Sequence, residues 1–131
     1  MSDTGRPDVN QGNQSLSFRT EVRFLGKDHV GSVRHFEGIS LTFLVEKTRQ
    51  LLSSMGLEYE DEKEEANGKA VYTNVAQVKR ERGTMFIWIK GLEVESVGVV
   101  LDVKVIHGTD ESAVADELLS RIMESLERML V

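Results

Sequence analysis

The chain has no cysteine, one proline and one tryptophan in 131 residues. Without cysteine there is no disulfide framework, no thiolate nucleophile and no cysteine-ligated zinc or iron–sulfur site. That absence fits a reducing compartment. No apolar run approaches the roughly 20 residues that span a bilayer. The N-terminus lacks the basic start and apolar stretch of a signal peptide. A cytoplasmic location is therefore expected. Positive charge is also scarce: 16 Lys and Arg stand against 22 Asp and Glu, a formal net charge of -6. Such a balance repels phosphate backbones and anionic lipid, so neither a nucleic-acid partner nor membrane attachment is expected. Charge can still be segregated, which leaves room for a local basic patch.

What is present suits one globular domain. Hydrophobic residues make up 40% and charged residues 29%, ordinary values for a fold with a core. Residues 1–15 are polar and rich in Asn, Gln and Gly, and read as a disordered tail. The domain is expected over 16–131. Leu16, Phe18, Thr20, Val22 and Phe24 alternate with Ser17, Arg19, Glu21 and Arg23, the period of a half-buried strand. Gly26-Lys27-Asp28 breaks it, and Val30, Val33 and Phe36 suggest a second, short strand.

Ser40 is a plausible N-cap. Leu41, Leu44, Val45, Thr48, Leu51, Leu52 and Met55 then recur at helical spacing up to Gly56, which suits a left-handed C-terminal position. Strand-like runs follow at Leu57–Glu60, Ala70–Val78, Thr84–Lys90 and Val99–Val105, separated by Asn67-Gly68, by Glu81-Arg82-Gly83, and by a connection from Gly91 to Gly98 with apolar teeth at Leu92, Val94 and Val97. After Gly108, Thr109 or Asp110 can cap a last helix, with Glu111 placed well against its dipole. Ala115, Leu118, Leu119, Ile122, Leu126, Met129 and Leu130 form that helix's apolar stripe.

The expected fold is α+β: an antiparallel sheet of about four to six strands with two helices packed on one face, in β-α-β-β-β-β-α order. Each helix has one stripe to bury, and one side of the sheet accommodates both. The other side is then left partly uncovered, with Tyr72, Phe86 and Trp88 as candidate partner-binding residues.

Chemistry is sparse. His29, His35 and His107 lie in different elements and match no metal spacing; His107 reads as an exposed or capping residue. The run Glu58, Glu60, Asp61, Glu62, Glu64 and Glu65 lacks the glycine and ligand order of a calcium loop, and reads as a solvated hairpin. No metal site or cofactor is expected. No serine sits in a nucleophile elbow, and there is no phosphate-binding glycine loop. Asp102, inside an apolar strand, reads as a cross-strand partner beside Lys104. Catalysis would need Asp102, Glu93 or a histidine to converge in one cleft, and the chain reads as no enzyme. Lys79, Arg80 and Arg82 form a compact basic cluster beside an aromatic strand, a candidate anion grip that Glu81 weakens.

Two stretches carry a family resemblance. They are VEKTRQLLSSMGLEYE, a helix running through glycine into an aromatic strand, and TMFIWIKGLEVESVGVVLDVKVIHGTDESAVADELLSRIMESL. From about Phe36 to Leu130 the chain resembles the kinase-associated KA1 domain, an α-β-β-β-β-α module. The resemblance implies a noncatalytic regulatory module that contacts a kinase domain, a regulatory subunit or anionic phospholipid. No kinase sequence accompanies it here, and the acidic balance departs from the basic lipid-binding members, which favours a protein partner. The functional expectation is a module that binds a protein partner or self-associates as a homodimer, through a sheet face or edge. The alternative is a carrier of a small apolar ligand or lipid, in a helix-grip cavity lined by the first hairpin and Met85 to Ile89.

Overall fold

A computed structural model describes residues 21–94 and 98–131. The expected tail, the first strand's Leu16, Phe18 and Thr20, and Val97 lie outside the described residues. In chain order the elements are β1 (Val22–Leu25), β2 (His29–Glu37), α1 (Leu41–Ser54), β3 (Glu58–Ala66), β4 (Lys69–Arg80), β5 (Gly83–Glu93), β6 (Gly98–Ile106) and α2 (Ser112–Leu130). The strands form one six-stranded sheet in the order β1-β2-β6-β5-β4-β3. Every pairing is antiparallel. The fold is α+β, with both helices on one side of the sheet.

That side is set by alternation. Met85, Ile87 and Ile89 of β5 are buried while Phe86, Trp88 and Lys90 are exposed. On β6, Val99, Leu101, Val103 and Val105 are fully buried. The buried residues meet Leu41, Leu44, Val45, Leu51 and Leu52 of α1, and Leu118, Leu119, Ile122, Met123 and Leu126 of α2, in a single core. Each large aliphatic side chain so buried contributes about 1.5–3 kcal/mol relative to exposure. The core packs to such low exposure that Met85, Ile87 and Ile89 belong to the interior between sheet and helices.

Helix α1 starts and stops as its residues predict. The Ser40 hydroxyl accepts from the Phe43 amide at 3.1 Å, satisfying one of the unpaired donors of the first turn. Gly56 has φ +71, and the Leu57 amide donates back to the Leu52 carbonyl at 3.1 Å, which closes the helix in a Schellman turn. Helix α2 departs from expectation. Neither Thr109 nor Asp110 caps it. Glu111 occupies the cap position and makes no side-chain capping bond, because its carboxylate accepts from Arg80 Nε at 2.8 Å instead.

Three strands are longer than the apolar pattern suggests. Strand β2 covers nine residues and pairs along its whole length with β6. Two of its polar residues meet particular partners. The buried Ser32 hydroxyl bonds the Glu21 carboxylate, and Arg34 pairs with Glu127 of α2 at 2.6 Å. Gly31 lies under the Phe24 ring, where a Cβ would come within 2.6 Å of a ring carbon. Strand β3 extends through the whole acidic run, which is the exposed edge arm of a hairpin, with nine paired residues. It turns into β4 through Asn67 (φ 56) and Gly68 (φ 77), the two left-handed residues of a type I′ hairpin. Strand β5 continues to Glu93, which shortens the expected Gly91–Gly98 connection.

Candidate interaction surface

The register of the five pairings lays the uncovered face out as a grid. One transverse row reads Glu60, Val75, Trp88, Lys104, Gly31 and Phe24, from β3 across to β1. A neighbouring row reads Glu62, Thr73, Lys90, Asp102, Val33 and Val22. Side chains in these rows stand perpendicular to the sheet on the side away from the helices. Trp88 is 43% exposed, Phe24 41% and Val22 54%. Phe86, at the edge of the same field, is also exposed. Large apolar side chains gathered on one face are the feature that marks recognition surfaces, whereas scattered ones are ordinary. Near the centre, Trp88, Lys90, Asp102, Lys104, Thr73 and Ile106 border an open depression of about 390 Å³.

Tyr72 does not belong to this face. Its register partner is Gly91, on the helix side, and it is fully buried. The correction follows from parity. Tyr72 and Trp88 are both even-numbered, but the turn at Glu81-Arg82 joins β4 to β5 so that Val75, not an even residue, stands opposite Trp88. Tyr72 instead anchors a polar network beneath α1. Its hydroxyl donates to Asp61 Oδ2 at 2.8 Å and accepts from Asn74 Nδ2 at 2.9 Å. Arg49 Nε completes the set at 2.7 Å from Asp61 Oδ2. Burial pushes the Asp61 carboxyl up, but the Arg49 and Tyr72 hydrogen bonds outweigh it and hold the group below its ordinary range. Desolvation pushes the Tyr72 phenol well up, so it stays a neutral donor.

This network has a pH signature. Asp61 is more acidic folded than unfolded, so its contribution is complete above the unfolded value of about 4 and disappears as pH falls through the lower folded value. Glu21, also lowered against the opposing effect of burial by Ser32 and Arg23, acts in the same direction. Urea unfolding followed at a series of pH values is expected to show stability falling below about pH 4. An Asp61→Asn variant should flatten part of that limb; superimposable profiles would remove Asp61 from the account.

The basic cluster is divided. Arg80 is committed to Glu111 at 2.8 Å, tying the end of β4 to the start of α2. Lys79 and Arg82 are exposed. The three are therefore not a free cationic grip. Among the histidines, His29 lies 3.0 Å from Asp28. His107 is buried, not exposed, with Nδ1 at 2.8 Å from the Gly108 carbonyl. Asp102 stands beside Lys90 and Lys104 on the free face. Glu93 lies on the other side of the sheet, reaching the Ala70 amide at 3.4 Å. Among the described residues no three His, Asp or Glu side chains cluster as a metal site would require, and no described helix is long and apolar enough to cross a membrane.

Comparison with known proteins adds the fold and little more. No family model matches the chain, and no curated protein sequence matches it. Among solved structures it is similar to a Pseudomonas aeruginosa protein of unknown function, PA94, described as a "Putative Regulator". That similarity has a TM-score of 0.50 at 13% identity, covering 86% of this chain and 85% of the other. At this identity the likeness is one of fold.

Proposed function

We propose that the chain is a noncatalytic interaction module that recognises a protein through the sheet face opposite its helices. One observation carries the reading: Trp88, Phe86, Phe24 and Val22 are exposed together on a face that neither helix covers. In a monomer the helices consume the other face, so the cost of exposing these side chains is retained unless something docks there. The description of the similar P. aeruginosa protein is compatible with a regulatory role. The resemblance to kinase-associated domains supports the same class, since from Leu41 onward the elements run α-β-β-β-β-α.

Trp88→Ala tests this directly. With Trp88 43% exposed, the substitution is expected to cost about 1–2 kcal/mol of folding stability, less than loss of a core aromatic, yet to weaken association strongly, as truncation of an aromatic anchor does. A photo-crosslinking residue placed at Phe86 in cells expressing the chain should give discrete adducts. The same residue at Glu117, exposed on α2, should not. Equal crosslinking from both positions would dissolve the face assignment. Sedimentation distinguishes self-association from a second protein, and a lipid-sized adduct in native mass spectrometry would favour the apolar-ligand alternative.

A further inference from the structure

We propose that the partner presents an amphipathic α-helix with a basic flank, and that the glutamates of β3 select it. This rests on the interaction-module reading and specifies its ligand. Glu58, Glu60, Glu62 and Glu64 are opposite Gln77, Val75, Thr73 and Val71, which places all four on the uncovered face. All are exposed. None forms an ion pair with another described residue. Consecutive members stand roughly 6.7 Å apart, two residues along a strand. Like charges in a row at that spacing repel, and the β4 residues directly opposite them, Gln77, Val75, Thr73 and Val71, carry no charge. Of the lysines of this face, Lys69 and Lys79 stand only at the two ends of the β4 row, and Lys90 and Lys104 lie on β5 and β6, two and three strands away.

The dimensions specify the occupant. From β3 to β5 is two strand spacings, about 9.6 Å, close to the roughly 10 Å diameter of an α-helix with its side chains. A helix laid along β4 would rest its apolar stripe on Val71, Thr73 and Val75. One flank would then meet Trp88, and the other would lie over the glutamates. Residues four apart on a helix rise about 6 Å, near the spacing of the glutamates, so Lys or Arg at i, i+4 positions can face successive carboxylates. Protection of a sheet edge against aggregation also uses charge, but it does not require one sign on one face. On the opposite face of β3, Asp61 is paired with Arg49 and Lys63 interrupts the acidic run. A second copy of this chain is a poor fit, because its net charge is -6 and α2 turns Asp116, Glu117 and Glu124 outward. An anionic membrane is repelled for the same reason.

The probe is a synthetic helical peptide of about 18 residues, free of tryptophan, with a leucine stripe and lysines at i, i+4 along one flank. A twin carries glutamate in place of each lysine. Because Trp88 is the only tryptophan, its emission reports contact when the peptides are titrated into the full chain. The lysine peptide is expected to shift that emission to the blue and to bind at least about tenfold more tightly than its twin. Changing Glu58, Glu60, Glu62 and Glu64 together to glutamine should remove about tenfold or more of the affinity. It should also leave the unfolding midpoint nearly unchanged, since all four are exposed. Trp88→Ser, read by anisotropy of labelled peptide, should weaken binding as well. Equal binding of the two peptides would overturn selection by charge while leaving the interaction face intact. Loss on the glutamine changes with no effect of Trp88→Ser would mean a purely electrostatic contact off the apolar field, and would also overturn the proposal. Failure of both peptides would overturn the helix as ligand, whereas the crosslinking from Phe86 decides the broader reading separately.

Discussion

Leu44→Ala is expected to lower folding stability by about 2–5 kcal/mol, among the largest effects of any single side-chain truncation in this chain. Leu44 is fully buried and points from α1 onto β5 at Gly91. Glycine is needed there for space. A Cβ at Gly91 would lie 2.7 Å from Leu44 Cδ2 and 2.9 Å from Leu41 Cδ1, closer than carbon atoms pack. Gly91→Ala alone should therefore cost about 1–3 kcal/mol by lifting the helix or forcing rotamers. The two changes are complementary. In the double variant the new methyl group enters the space the leucine leaves, so the combined loss should fall short of the sum of the single losses by about 1 kcal/mol or more. Chemical denaturation of the four proteins, read by Trp88 fluorescence, gives the cycle. Strict additivity would mean that α1 does not seat on Gly91.

Gly91 also illustrates what the sequence makes legible. Period-two alternation in Val99–Val105 identifies the covered side of that strand, and helical spacing identifies the stripes of α1 and α2. Both are local properties of a chain that must put apolar surface on one side. Met85–Ile89 is apolar at every position, so its pairing with β6, Ile87 opposite Val105 and Trp88 opposite Lys104, is what puts Phe86 and Trp88 on the free face. Strand β2 is hidden because its central residues are Gly31, Ser32 and Arg34. Each is fitted by a partner elsewhere in the chain: Phe24 over Gly31, Glu21 for Ser32, and β6 and Glu127 for Arg34. Strand β3 is hidden because an edge strand with one face in water and a charged rim carries almost no apolar pattern. Tyr72 faces the helices, against expectation, because parity within one strand says nothing about parity across a turn; a register does. The acidic row of β3 was visible as composition but not as a surface, since only the pairing with β4 shows that alternate glutamates join the face of Trp88. Glu111 was read for the helix dipole, and the geometry gives it to Arg80.

Tyr72→Phe should destabilise the fold by about 1–3 kcal/mol while removing only one oxygen. The ring is fully buried and its replacement is isosteric, so no cavity opens. The loss comes from two groups left behind. Asp61 keeps Arg49 but loses its second donor, and the Asn74 amide nitrogen loses its acceptor in a site where Asn74 Oδ1 already has no partner. A buried polar group without a partner retains its desolvation cost and gains nothing against it. The effect should depend on pH at both ends. Below the lowered titration of Asp61 the carboxyl is protonated and the lost charge-assisted bond matters less. Above about pH 10 the unfolded wild-type tyrosine ionises while the buried one resists, which removes stability that the phenylalanine variant never had to lose. The difference between the two proteins should therefore be greatest near neutrality and shrink toward both extremes. Trp88→Ala, which deletes an indole with no part in this network, should shift stability by a similar amount at every pH. A Tyr72→Phe difference that stays constant from about pH 3 to about pH 11 would mean that Asp61 and the Tyr72 hydroxyl do not act together in the fold.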